Sequence, residues 1–129
     1  MSTPAPPTTV LVIEDDRPIA LVLKAHLKGA GYRVRTAATG AAGLACARAG
    51  GIDLITLDVH MHPVDGWTVL QALRDDPTTR RIPVIVVSML DERPAGLEAD
   101  AYVRKPFRGR DLLAVVGRVL AARGEAFPR

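Results

Sequence analysis

The stretch Leu54-Ile55-Thr56-Leu57-Asp58 decides the fold, because it is a short apolar run that ends on a carboxylate. The chain then turns through His62-Pro63-Val64-Asp65-Gly66. In the same way, Val10-Leu11-Val12-Ile13 runs directly into Glu14-Asp15-Asp16. Apolar runs of this kind are typical of strands buried on both faces of a parallel sheet, and parallel sheets place ligands at the carboxyl ends of strands. The two runs predict an acidic pocket that attracts a divalent cation and offers one oxygen as a phosphoryl acceptor.

The rest of the chain alternates strands with helices, which predicts an α/β fold whose parallel sheet is covered on both sides. We expect a flavodoxin-like, doubly wound, five-stranded sheet of order 2-1-3-4-5 with five helices. Helix four, between strands four and five, is expected to be short or irregular because Pro94 and Gly96 interrupt it. The predicted strands are residues 9–13, 33–36, 54–57, 84–87 and 101–104, and the clear helices are 17–28, 41–49, 66–74 and 112–122.

Composition indicates one globular domain. The chain has 129 residues, of which 48% are hydrophobic and 24% charged, an ordinary balance for a soluble protein. Since only 4% are aromatic, aliphatic side chains must build the core. No apolar run approaches the roughly 18 residues that span a bilayer, the first residues lack a signal-peptide pattern, and the single cysteine, Cys46, is consistent with a reducing compartment. We therefore expect a cytoplasmic protein without membrane insertion.

The basic residues are dispersed along the sequence. Fourteen arginines and three lysines give a formal net charge of +3, but no nucleic-acid-binding motif accompanies them, so we expect no direct contact with nucleic acid. Lys105, beside Pro106, is one of the few lysines in an arginine-rich chain. A position that keeps lysine there indicates a need for a compact ammonium rather than a guanidinium fork.

Polar side chains follow four of the predicted strands. Glu14 and Asp15 follow strand one, Asp58 ends strand three, Ser88 follows strand four and Lys105 follows strand five. Carboxylates about 4 Å apart repel each other by a few kcal/mol at a surface-like dielectric, so protonation, a cation or both must offset the repulsion. Oxygen ligands and a phosphate are the partners that Mg²⁺ prefers. The pattern predicts a Mg²⁺ site with Lys105 as a second positive charge.

This pattern resembles the receiver domain of two-component response regulators over nearly the whole chain. The matching motifs are VLVIEDD at 10–16, LDVHMHPVDG at 57–66, IVVSML at 85–90 and AYVRKPF at 101–107. The resemblance implies that Asp58 is the phospho-accepting residue. It also implies that Asp15 binds Mg²⁺ directly with Glu14 assisting, and that Asp58 and the backbone carbonyl of His60 complete the ligands.

The resemblance assigns the remaining roles as well. Ser88 would bind a phosphoryl oxygen through its hydroxyl, and Lys105 would pair with the phosphoryl group. The peptide before Pro106 is expected to be cis. Tyr102 would occupy the aromatic switch position and move in concert with Ser88, so that one new doubly charged group biases a two-state switch.

The implied function is that of a single-domain response regulator. It would accept a phosphoryl group on Asp58 from a phosphohistidine of a sensor histidine kinase or histidine phosphotransfer protein, and then change its binding to a downstream target protein. Such a protein is not an enzyme acting on other substrates, because it catalyses only its own phosphorylation and dephosphorylation. We expect a disordered leader at 1–8, the receiver domain at 9–123 and a tail at 124–129, with no output domain.

The chain departs from the family pattern in three places. The proline of the turn after the acceptor arrives one place late, as Pro63, and sixteen residues between Ser88 and Lys105 leave little room for helix four. The residue after the hydroxyl is normally small but here is Met89. We hypothesise that Met89 narrows access to Asp58 and slows both small phosphodonors and hydrolytic water.

Three other readings stay open at this point. One is a receiver-like adaptor that binds a partner without phosphorylation, and the second is a hydrolase with an aspartyl-phosphate nucleophile. The third makes His60 and His62 a transition-metal pair, although two imidazoles without a further ligand are weak evidence for such a site.

Overall fold

The computed structural model describes residues 8–89 and 93–126. Five parallel strands form one sheet of order β2-β1-β3-β4-β5, so the predicted flavodoxin-like winding is confirmed. The strands predicted over 54–57 and 84–87 each extend one residue further, so that they end on Asp58 and Ser88. The strands are β1 Thr9–Ile13, β2 Arg33–Ala37, β3 Leu54–Asp58, β4 Val84–Ser88 and β5 Ala101–Arg104.

Within residues 8–89 and 93–126, three of the four helices are preceded by a residue whose side chain accepts a hydrogen bond from a backbone N–H of the first turn. Asp16 accepts from the Ile19 N–H, Thr39 from Ala42 and Asp65 from Thr68, which satisfies amide groups that have no partner inside the helix. Asp16 therefore caps the first helix. The helices are α1 Arg17–Gly29, α2 Gly40–Arg48, α3 Gly66–Asp75 and α4 Gly109–Ala126.

The predicted count of five helices is wrong for the part of the chain that the structure describes, which contains four. Residues 93–100, between β4 and β5, form no helix. A turn replaces it, in which the Leu97 N–H donates to the Pro94 carbonyl and Gly96 takes a positive φ of 77°. Proline and a left-handed glycine two residues apart are incompatible with a regular helix. Residues 90–92 lie outside the described residues.

The last helix is also longer than expected. It was predicted over 112–122 but runs from Gly109 to Ala126, so it enters the region assigned to the tail. The proposed leader and the end of the tail fall largely on residues 1–7 and 127–129, which lie outside the described residues.

Two apolar layers cover the sheet. Ile13, Ile55 and Leu57 belong to the layer that packs with α2 and α3, whereas Val12 and Leu54 belong to the layer that packs with α1 and α4. All residues of β3 and β4 are buried, as the uninterrupted apolar runs predict. Burial on both faces fixes the strand register, so the residues at the carboxyl edge of the sheet have defined positions. Within residues 8–89 and 93–126, no helix is both long and apolar enough to cross a membrane.

Candidate functional site

The carboxyl edge of the sheet gathers the side chains that follow four strands. Ile13 pairs with Leu57, so Glu14, directly after β1, lies beside Asp58 at the end of β3. Asp58 pairs in turn with Val87 on β4, one residue before Ser88, and the Ser88 carbonyl accepts a hydrogen bond of 2.9 Å from the Lys105 N–H. Four segments that are distant in sequence therefore meet at one edge, as predicted.

Three carboxylates form the centre of this site. One oxygen each from Glu14, Asp15 and Asp58 lies within 4.8 Å of the others. Glu14 and Asp58 are only 3% and 4% exposed, whereas Asp15 is exposed. Two buried acids with a third at the surface make an open pocket of hard oxygen donors. Such a donor set suits Mg²⁺, which takes oxygen ligands and keeps several waters.

Lys105 points into this acidic pocket. Its Nζ lies 2.7 Å from Glu14 Oε1 and 3.6 Å from Asp58 Oδ1, and its side chain is 11% exposed. The Lys105–Pro106 peptide is cis, as the resemblance implied. The resemblance implied that the lysine pairs with the phosphoryl group; of its two carboxylate contacts in the structure, the shorter is with Glu14. The preference depends on side-chain geometry that strand order alone does not specify.

Burial strongly perturbs the ionisation of Glu14. Desolvation and a hydrogen bond with Asp58 raise the Glu14 pKa from 4.5 to about 7, against the lowering effect of Lys105. The cause is that a buried carboxylate loses hydration, and its neighbour carries the same charge. One ammonium does not fully compensate two buried acids. The pocket thus favours a further cation.

The backbone after β3 also contacts the Asp58 carboxylate. The His60 N–H donates to Asp58 Oδ1 at 3.1 Å, which places the residue predicted to supply a carbonyl ligand next to the site. Its side chain is exposed. Among the described residues, the candidate metal-binding group consists of the three acids alone. Neither His60 nor His62 belongs to this group.

Because residue 66 is a glycine, the turn after β3 can pack directly against the backbone at the end of that strand. A Cβ at this position would lie 2.3 Å from the Asp58 carbonyl oxygen and 2.5 Å from Val59 Cα. The Gly66 N–H donates to the Val59 carbonyl at 3.0 Å. The displaced proline takes part in a second cis peptide, His62–Pro63, which the sequence analysis did not anticipate. The turn keeps its length and brings α3 against the site.

The two predicted switch residues lie on neighbouring strands. Ser88 is 5% exposed at the end of β4. Tyr102 on β5 is half-buried, and its hydroxyl accepts a hydrogen bond of 3.2 Å from the Ala99 N–H. The Arg93 guanidinium lies 3.8 Å from the centre of the Tyr102 ring, within the range of a cation–π contact. Arg93 was missed from sequence, because only the turn that replaces helix four brings it over the ring.

An apolar cleft adjoins the acidic pocket. It has a volume of about 380 Å³, and its lining combines the lysine with apolar residues of α1 and the strand-end loops: Pro18, Ile19, Val22, Met89, Lys105, Pro106 and Phe107. Met89 is 62% exposed, and on α1 Leu21 and Val22 are 56% and 47% exposed. Met89 was identified from the sequence, but the exposed apolar face of α1 was not. Two consecutive large apolar residues at positions 21 and 22 were the available signal for that face.

Comparisons with known proteins agree with this geometry. The family model described as the response regulator receiver domain matches residues 10–117. The response regulator PleD of Caulobacter vibrioides is 42% identical over 102 residues, which are 75% of this chain and 22% of that protein. RpaA of Synechocystis, described as a DNA-binding dual master transcriptional regulator, is 38% identical over 93% of this chain and 52% of its own length. The chain thus spans about half or less of the length of these curated relatives.

A solved structure gives the same result for the fold. The receiver domain protein of Methanospirillum hungatei superposes with a TM-score of 0.88 at 25% identity, covering 95% of this chain and 100% of the other. The match to the family model extends from β1 into α4 and includes every strand that contributes to the acidic pocket. The chain belongs to the response regulator receiver domain family.

Proposed function

We propose that Asp58 accepts a phosphoryl group from a phosphohistidine in a Mg²⁺-dependent reaction, and that phosphorylation changes the binding of a partner protein. One observation carries the proposal. Two buried carboxylates, Glu14 and Asp58, lie within 2.7 and 3.6 Å of the same ammonium, that of Lys105, with the exposed Asp15 beside them. This arrangement combines a nucleophilic oxygen with sites for two cations.

The residues present fit a magnesium ion. Glu14, Asp15 and Asp58 would hold it, together with the backbone carbonyl of His60. When bound, Mg²⁺ supplies positive charge that neutralises the acids and stabilises the phosphoryl oxygens. The raised pKa of Glu14 supports this assignment. It shows that the acidic pocket carries more negative charge than the Lys105 ammonium balances.

The transfer itself is an in-line displacement. An Asp58 Oδ atom attacks phosphorus, the P–N bond to the donor imidazole breaks, and its electron pair returns to the ring nitrogen. The transition state is loose, with charge on the equatorial oxygens. Lys105 Nζ, already 3.6 Å from Asp58 Oδ1, and the Ser88 hydroxyl would stabilise those oxygens. In a separate hydrolysis step, water attacks phosphorus and gives up a proton, the P–O bond to Asp58 breaks with its electron pair returning to the carboxylate, and inorganic phosphate leaves.

The switch would act through β4 and β5. A phosphoryl group on Asp58 draws the Ser88 hydroxyl toward it and alters the space into which Tyr102 packs. In the structure Tyr102 is held by the Ala99 N–H and by Arg93. Movement of the ring would therefore break contacts with the turn at 93–100, and partner binding would respond to that segment rather than to a regular helix.

The phosphodonor protein would dock beside the lysine. The apolar cleft shares Lys105 with the acidic pocket, and Val22 and Met89 expose apolar surface next to it. A histidine kinase or phosphotransfer protein that presents its phosphohistidine at Asp58 would cover this surface. The reaction modifies only the chain itself, so we do not class the protein as an enzyme on external substrates. The single cysteine supports a reducing, cytoplasmic setting.

Intact mass spectrometry with a small phosphodonor tests the proposal. Wild-type protein incubated with Mg²⁺ and acetyl phosphate should gain one phosphoryl group, and chelation of the metal should prevent the gain. Asp58→Asn should abolish it, whereas Asp111→Asn, which removes an exposed acid in the first turn of α4, should not. No gain in the wild type, with a partner still bound, would favour the phosphorylation-independent adaptor. Repeated turnover of a generic phosphate ester would favour the hydrolase.

A further inference from the structure

A second cleft lies at the opposite edge of the sheet from Asp58. Its volume is about 590 Å³, and it opens between the end of α3, the amino ends of β4 and β5, and the second half of α4. Five arginines and one acid line it: Arg74, Arg80, Arg81, Arg118, Arg123 and Asp100. These arginines are dispersed over 50 positions of the sequence, and the fold gathers them around one cavity.

Asp100, the one acid among the described residues that line the cleft, is already engaged. Asp100 Oδ2 accepts hydrogen bonds from Arg74 Nη2 at 2.8 Å and from the Val84 N–H at 2.7 Å. Arg74 Nη1 also donates to the carbonyls of Arg80 and Ile82. The Arg74–Asp100 pair therefore forms a fixed, internally neutral part of the wall. Among the other lining arginines, Arg80 and Arg118 add positive charge to the cleft.

Two of those arginines are well placed to meet a ligand. Arg80 and Arg118 are exposed and come from different elements, the segment after α3 and the helix α4. Arg80 uses its backbone carbonyl, not its guanidinium, to hold Arg74. A guanidinium presents a planar fork that matches the oxygens of a phosphate in a bidentate manner, so arginines on two walls can grip a multiply charged phosphate between them.

Part of the cleft is apolar. Pro83, Ala101, Val119 and Ala122 contribute lining surface beside the arginines. Cavities that bind small molecules commonly have volumes of about 300–1,000 Å³ and combine apolar walls with a few polar anchors. We propose that this cleft is a binding site for a nucleotide-sized anion that carries a diphosphate or longer phosphate chain on an apolar body. The site is separate from Asp58, since the five residues of β4 span about 16 Å at roughly 3.3 Å each.

The test is titration of the full chain with ADP in metal-free buffer, with inorganic pyrophosphate as the second probe. ADP should bind saturably and shift the amide resonances of Ala101 and Val119 but not that of Asp58. Pyrophosphate should bind more weakly, because it cannot use the apolar wall. Asp58→Asn should bind ADP as the wild type does, which keeps this result independent of the proposed phosphorylation.

Two double variants distinguish specific binding in the cleft from nonspecific attraction of the anion to positive charge. The double variant Arg80→Gln, Arg118→Gln should bind ADP about tenfold more weakly or worse, since it removes charge-assisted contacts to the phosphates from both walls. Arg35→Gln, Arg110→Gln removes the same charge at two exposed positions outside the cleft and should change affinity by less than about twofold at moderate salt.

Four outcomes would overturn the proposal. They are the absence of saturable ADP binding, equal weakening by both double variants, pyrophosphate affinity as high as that of ADP, and resonance shifts centred on the Asp58 edge. Tight binding of a short polyglutamate peptide in place of ADP would identify the cleft as a protein-docking surface instead.

Discussion

Replacing Glu14 by glutamine should stabilise the metal-free protein at neutral and alkaline pH. Glu14 is 3% exposed, and its pKa is raised from 4.5 to about 7. A raised pKa in the folded state means that folding favours the protonated acid. The stability that protonation of Glu14 contributes to the folded state is fully present below about pH 4.5, and it is lost as the pH rises through about 7. Glutamine keeps the shape and the oxygen that faces Lys105 but carries no charge.

The size of the effect follows from the shift. The difference between 4.5 and about 7 is about 2.5 pKa units, and each unit corresponds to about 1.36 kcal/mol. The upper limit for the gain in the free energy of unfolding is therefore about 3 kcal/mol. Because Glu14 interacts directly with Asp58 and Lys105, the shift does not belong to Glu14 alone, and we expect a measured gain of about 1–2 kcal/mol.

Urea denaturation at two pH values measures this effect. At about pH 8 with chelator, Glu14→Gln should have the higher free energy of unfolding, and the difference should shrink toward zero at about pH 5. Saturating Mg²⁺ should remove or reverse the difference at about pH 8, because the metal stabilises only the charged site. Glu98→Gln, at an exposed position of the β4–β5 segment, is the matched control and should be neutral. Equal stability of wild type and Glu14→Gln at both pH values would refute the reasoning.

Three further predictions concern the same edge of the sheet. Gly66→Ala should destabilise the fold by about 2 kcal/mol in urea melts, because its Cβ meets backbone at 2.3 Å. Gly117→Ala, with nothing within 4 Å, should instead be neutral or stabilising by about 0.5–1 kcal/mol. Lys105→Met should slow phosphorylation by acetyl phosphate about tenfold or more, as followed by intact mass, and an unchanged rate would exclude a role for the ammonium. Met89→Ala should speed both phosphorylation and dephosphorylation, and unchanged rates would end the hypothesis that this side chain restricts access.

Much of the architecture followed from local sequence patterns. The apolar runs at 54–57 and 84–87 predicted strands buried on both faces, and both are fully buried. Asp16 was recognisable as a helix cap because it precedes Arg17-Pro18 at the start of an amphipathic segment. The order of the strands, and thus the meeting of Glu14 with Asp58, required the rules of parallel crossover connections in addition.

Other features depend on contacts that have no local pattern. The preference of Lys105 for Glu14 and the position of Arg93 over Tyr102 arise from side-chain packing between elements distant in sequence. The arginine-lined cleft is the clearest case, since residues such as Arg74 and Arg118 look dispersed along the chain. A linear reading of charge could not detect a cluster that only the folded chain creates.

The location of the transferred phosphoryl group tests the central claim most directly. After reaction with acetyl phosphate and Mg²⁺, proteolysis under acidic conditions and tandem mass spectrometry should place one phosphoryl group on Asp58 and none on the nearby His60 or His62. A phosphoryl group mapped to either histidine, or one that forms equally well without metal, would contradict the assignment of Asp58 as the magnesium-dependent acceptor.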